Sequence, residues 1–105
     1  MQDEWINSLM SPVVFRKTPA QVKKNFDFSI VLSQESLEIR LLNKTGHYVY
    51  KLIDSRRTVQ EVVEHMKTKY CDVEDAKLTS DVCMIVRDLE AYGLIRQVAV
   101  DPGDG

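Results

Sequence analysis

The sequence predicts an α+β domain: a three-stranded antiparallel sheet followed by three helices, an order compatible with a winged-helix-like architecture. Three observations carry this. Apolar residues alternate with period two within the first forty-odd positions, at 26–33 and again at 36–42. From residue 42 the apolar spacing becomes that of a helix. Capping and turn signals then divide the remaining chain into three helical segments.

Residues 1–12 place Trp5, Ile6, Leu9 and Met10 at helix-like spacing among polar neighbours and are expected to form a frayed arm. Pro12 closes it, because proline disfavours helical geometry in the residue before it. Val13, Val14 and Phe15 make a short β-prone run ended by Arg16, Lys17 and Pro19, and 17–25 reads as a loop. In 26–33, Phe26, Phe28, Ile30 and Leu32 alternate with Asp27, Ser29, Val31 and Ser33. Gln34 and Glu35 are a polar break short enough for an antiparallel hairpin. In 36–42, Leu37, Ile39 and Leu41 point one way and Glu38 and Arg40 the other, the mark of a half-buried strand. The three apolar residues are expected to face the helices. Asn43 follows, where a side-chain oxygen accepts from an orphan N–H at a helix start. The helix it opens carries Leu42, Val49, Leu52 and Ile53 on one face.

The segment 54–57 is a polar turn, and Thr58 with Glu61 forms a capping-box pattern. The second helix shows Val59, Val62, Val63, Met66 and Tyr70 on one face, with Lys67 and Lys69 in its last turn, where cations suit the helix dipole. Asp72 is the expected cap of the third helix, whose Leu78, Val82, Ile85, Leu89 and Tyr92 form a core-facing stripe. Gly93 ends it. Residues 94–100 are β-prone, and 101–105 form a polar tail. The organisation is thus an arm at 1–12, one domain at 13–100 and the tail.

Composition narrows the function classes. At 105 residues the chain has room for one domain with a modest core. A formal charge of −2 gives no bulk attraction to nucleic acid or to an anionic membrane surface. No apolar run has the length of a membrane-spanning helix, and the first ten residues lack the pattern of a secretory signal. Cys71 and Cys83 fit a reducing compartment, so a cytoplasmic protein is expected. His47 and His65 stand apart from any nucleophile, and His65, Cys71 and Cys83 lack the close ligand pairs of a zinc site. Glycines are too few and too scattered for a phosphate-cradling loop. No catalytic residues, cofactor or metal are expected, and the chain reads as a non-enzyme. DNA binding is disfavoured by the third helix, where Glu74, Asp75, Asp81, Asp88 and Glu90 outnumber Lys77 and Arg87.

The run LLNKTGHYVYKLIDSRRTVQEVVEHM, with Asp81-Val82, Leu89 and Gly93-Leu94-Ile95 further on, resembles the PqqD-like family of recognition elements for ribosomally made, modified peptides. The resemblance covers about residues 13–98. It rests on Leu42, Asn43, Thr45, Gly46, Val49, Tyr50, Leu52, Ile53 and Asp54, then Thr58, Val59, Glu61 and Val62. Ser55 departs from it, since the family most often has glycine in that turn.

The resemblance implies a non-catalytic adaptor. In it a leader peptide docks as an extra strand on the third strand, against the third helix, and is presented to a separate modifying enzyme such as a radical SAM protein. Strand addition draws affinity from backbone hydrogen bonds and selectivity from pockets for alternate side chains. The expected peptide-binding residues are Leu37, Glu38, Ile39, Arg40 and Leu41 on the strand, with Cys83, Val86, Arg87 and Glu90 lining the cleft from the helix. Arg87 is the expected anchor for an acidic leader residue and Arg40 the second. An open strand edge also allows a homodimer by self-pairing. The rival readings are a winged-helix DNA-binding regulator and a structural subunit of a larger complex.

Overall fold

The computed structural model describes residues 5, 6, 9, 13–25 and 27–98. From residue 13 to 98, among the described residues, the elements run in the order β1 (Phe15–Lys17), β2 (Ala20–Lys24), β3 (Phe28–Ser33), β4 (Ile39–Asn43), α1 (Lys44–Leu52), α2 (Val59–Lys69), α3 (Asp75–Ala91) and β5 (Ile95–Gln97). The main sheet is antiparallel with order β2-β3-β4, and the three helices follow it, as expected. A second, two-stranded sheet pairs β1 with β5.

The identity of the first strand differs from the sequence expectation. The run Val13–Phe15 does not join the main sheet: Val14 bridges to Thr58, and Phe15 starts β1 against β5. Residues 20–24, expected to be loop, form β2 instead. Val22 alone in AQVKK is strongly β-prone, so local preference is weak there. Pairing supplies the strand, because β3 offers a full ladder from Ala20↔Ser33 to Lys24↔Ser29. Phe26 lies outside the described residues, as do Met10, Pro12 and residues 99–105. Trp5, Ile6 and Leu9, in the segment expected to fray, are helical and half-buried against the core.

The strand–helix junction is built as its residues require. Asn43 Oδ1 accepts from Gly46 N–H at 2.7 Å, capping α1. A Cβ on residue 46 would lie 3.1 Å from that same oxygen, so glycine keeps the cap close. Asp54 Oδ1 accepts from the N–H groups of Arg56 and Arg57 in the turn after α1. Those backbone bonds, Arg57 first, hold its carboxyl below the usual carboxylate range. Ser55 stands at φ 70°, the left-handed conformation that glycine adopts freely, which explains why a related sequence favours glycine there.

Both halves of the Thr58/Glu61 capping box are present. Helix α3 starts from Glu74 rather than Asp72, without a side-chain cap. It ends in a Schellman arrangement: Gly93 at φ 77°, Gly93 N–H to Glu90 O and Leu94 N–H to Leu89 O. Thr18, also buried, clamps this end, its hydroxyl donating to Gly93 O at 2.7 Å.

The core lies between β3, Leu42 of β4 and the three helices. Val31, Val49, Val63, Met66, Val82 and Val86 have no exposed surface. Among the described residues no helix is long and apolar enough to cross a membrane.

Candidate functional site

The site begins with the side of β4 that sequence alternation left undecided. Ile39 and Leu41 are 64% and 67% exposed, and Leu37 is 76% exposed. The expectation that these three face the helices is therefore reversed. Alternation separates two faces of a strand without saying which is inside. Here the inward pair is Leu42, which is buried, and Arg40, opposite the fully buried Val31. Leu37 precedes β4 and is not part of it. Its N–H donates to Ser33 O while Ser33 N–H donates to Glu38 O, so two residues oppose one across the hairpin. This bulge sets Leu37 at φ 61°, a conformation unfavourable to a branched side chain.

The same bond fixes the edge. With Ser33 N–H on Glu38 O, antiparallel alternation bonds Arg40 and Leu42 to β3 and turns the backbone N–H and C=O of Ile39 and Leu41 outward. Strand β4 has no neighbour on that side among the described residues. An open backbone edge thus coincides with an exposed apolar pair.

Beside this edge a cavity of about 160 Å³ separates β4 from α3. Leu41, Leu42 and Gly46 line one side, and Ile85, Asp88 and Tyr92 the other. Arg40 closes the strand side: its guanidinium lies 4.2 Å from the Tyr92 ring centroid and pairs with Glu38 at 2.8 Å. Its Nε is buried and lacks a hydrogen-bond partner among the described residues. Arg40 is thus held in place rather than free in solvent.

Helix α3 presents a different face to this cleft than expected. Cys83 and Val86 are fully buried in the core and line no open surface. Burial also pushes the Cys83 thiol up, away from thiolate chemistry. Arg87 and Glu90 are exposed, but neither lines the cavity, and the Arg87 guanidinium stacks 4.4 Å from the Trp5 ring centroid. The residues that do line it are Ile85, Asp88, Leu89 and Tyr92, with Ile85, Asp88 and Tyr92 spaced three and four apart on one flank. Sequence reasoning placed Ile85 and Tyr92 in the core stripe and passed over Asp88. The signal was the width of that stripe: its five residues with Cys83, Met84 and Val86 beside them exceed one buried face, and those on its β4 side, Ile85 and Tyr92, stay half-open.

His47 is tied to the sheet, with Nδ1 2.6 Å from Ser29 Oγ. Burial, then the nearby Lys24, Lys51 and Lys17, lowers its pKa and favours the neutral ring. Among the described residues no group of three or more His, Cys, Asp or Glu is placed to hold a metal ion.

A three-stranded sheet with one apolar open edge, backed by three helices and a cleft against the last, defines a small α+β scaffold. The profile of the family described as "Coenzyme PQQ synthesis protein D (PqqD)" matches residues 29–95, from the middle of the sheet to β5. The chain belongs to the PqqD family. Among solved structures it is similar to one described as "TbiB1 in Complex with the TbiA(beta) Leader Peptide", with a TM-score of 0.69 at 16% identity, over 81% of this chain and 99% of that one. No curated protein matches the sequence.

Proposed function

We propose that this protein is a non-catalytic adaptor that captures the leader of a ribosomally made precursor peptide as an added strand on β4 and holds it for a separate modifying enzyme. The observation that carries the reading is the coincidence of outward backbone groups and exposed Ile39 and Leu41 on an unpaired edge. Membership of the PqqD family and likeness to a protein solved with a leader peptide support it.

In this reading the peptide backbone bonds Ile39 and Leu41, and alternate side chains enter the cleft between Leu41 and the Ile85–Asp88–Tyr92 flank. Arg40, fixed by Tyr92 and Glu38, is the anchor for an acidic leader residue, a charge-assisted contact in a partly desolvated place. Arg87 and Glu90, exposed further round α3, meet the peptide only if it continues over the helix. The adaptor's contribution is effective concentration and register. A radical SAM enzyme is one partner of this kind. Pairing of two β4 edges into a homodimer is the competing use of the rim. The exposed surface of α3, with Asp75, Asp88 and Glu90 against Lys77 and Arg87, favours a peptide over DNA phosphates.

The test is an NMR titration of the labelled protein with the leader of a short peptide encoded beside its gene. Saturable shifts at 37–43 and at 85, 88 and 92 support the reading. Shifts elsewhere, or none, sink it.

A further inference from the structure

On the other side of α1 from the cleft lies a larger concavity of about 730 Å³, between the β2–β3 turn and helices α1 and α2. Its charged lining is of one sign: Lys24, Lys44, Lys51 and Lys69, with His47 and His65. No aspartate or glutamate lines it, although acidic residues outnumber basic ones in the chain. Lys24, Lys44 and Lys51 form no side-chain ion pair among the described residues. The Lys69 ammonium is placed 4.2 Å from the Tyr48 ring centroid, facing no carboxylate.

We propose that this basin binds a compact polyanion of the oligophosphate class, at a site separate from the β4 rim. Four lysines lining one cavity repel one another through their charges, and a single carboxylate would leave most of that charge uncompensated. A group carrying several charges on closely spaced oxygens matches them. The charged lining is all lysine, which binds phosphates as a point charge. The neutral groups fit the same ligand. In the tautomer that accepts from the Ser29 hydroxyl at Nδ1, the His47 ring carries its proton on Nε2 as a further donor. Exposed Phe28 adds an apolar wall for an organic substituent, and the volume is that of a small-molecule site. Helix α1 separates the two sites, with Gly46 lining the peptide cleft and Lys44, His47 and Lys51 lining the basin.

The experiment is calorimetry and NMR on the full chain with pyrophosphate as the probe, without any peptide. The expected result is saturable binding with shifts at 24–29, 44–52 and 65–69 and in both histidine rings. Lys44→Ala with Lys51→Ala, both at exposed positions, weakens binding at least about tenfold, since each removes a charge-assisted contact. Lys77→Ala on α3 removes one positive charge outside the basin and leaves binding unchanged. Unsaturated shifts spread over all surface lysines overturn the proposal, as does equal weakening by Lys77→Ala. Basin shifts with a polyglutamate peptide but none with pyrophosphate overturn the ligand class. Each of these outcomes leaves the leader titration of β4 to be judged separately.

Discussion

The sheet has two outer edges, and they follow opposite rules. On β2 the exposed residues include Gln21, Lys23 and Lys24, and lysines on an edge discourage another strand from pairing. On β4 the exposed residues include Ile39 and Leu41, with no lysine between Ile39 and Asn43. Both strands are five residues long and both pair with β3, so neither length nor topology accounts for the contrast. One edge exposes lysines and the other exposes Ile39 and Leu41. An apolar, unguarded edge is an aggregation hazard, and a small protein retains one when the edge has a use.

The most forceful way to break this contrast is to give β4 the guard of β2. Ile39→Lys with Leu41→Lys removes two exposed apolar contacts, each worth about 1.5–3 kcal/mol when fully buried. Leader binding should fall about a hundredfold or more by calorimetry. Thermal stability should hold within about 0.5 kcal/mol per site, because both side chains face solvent. A retained affinity would place the peptide elsewhere. Ile39→Pro removes the backbone N–H and leaves a smaller apolar side chain in place of isoleucine. Its N–H points to the open edge, so the ladder to β3 survives while one docking hydrogen bond, about 0.5–1.5 kcal/mol, is lost. Isotherms should show roughly a tenfold weakening with an unchanged far-UV spectrum.

Two smaller effects sharpen the comparison from the stability side. Leu37→Gly relieves a left-handed backbone at the start of the β4 edge and should raise the urea-derived stability by about 1 kcal/mol. Ser55→Gly relieves the same conformation far from either edge and should gain somewhat less, a few tenths of a kcal/mol to about 1, because serine is less bulky than leucine. If Leu37→Gly weakens leader binding while Ser55→Gly does not, Leu37 contacts the peptide. If both leave it unchanged, the strained leucine has no part in docking.

Much of the architecture was legible because local chemistry decides it. Asn43 with Gly46, Asp54 with its turn, Thr58 with Glu61 and Gly93 after α3 each satisfy backbone groups within a few residues, and each stands where sequence placed it. Strand β2 was not legible, since AQVKK becomes a strand only when β3 lies beside it. The cleft was legible by element and not by face. In β4 the period was right and the phase inverted, because an inward Arg40 is stabilised by the Tyr92 ring, a contact 52 positions away in sequence. In α3 the stripe was right and its flanks exchanged. Packing on α1 and α2 rotates Cys83 and Val86 into the core and leaves Ile85 and Tyr92 half-open. Phase is a long-range property, and period is a local one.

The bulge at Leu37 and the helix start at Lys44 bound β4, which is five residues long. At about 3.3 Å per residue that is a ruler of roughly 17 Å. A strand laid along it turns only two or three side chains toward α3. So short a word carries little information, and many unrelated sequences spell something close to it. Discrimination among peptides in a cell then cannot reside in this edge alone. It has to be completed by whatever else reads the same peptide while the edge holds it.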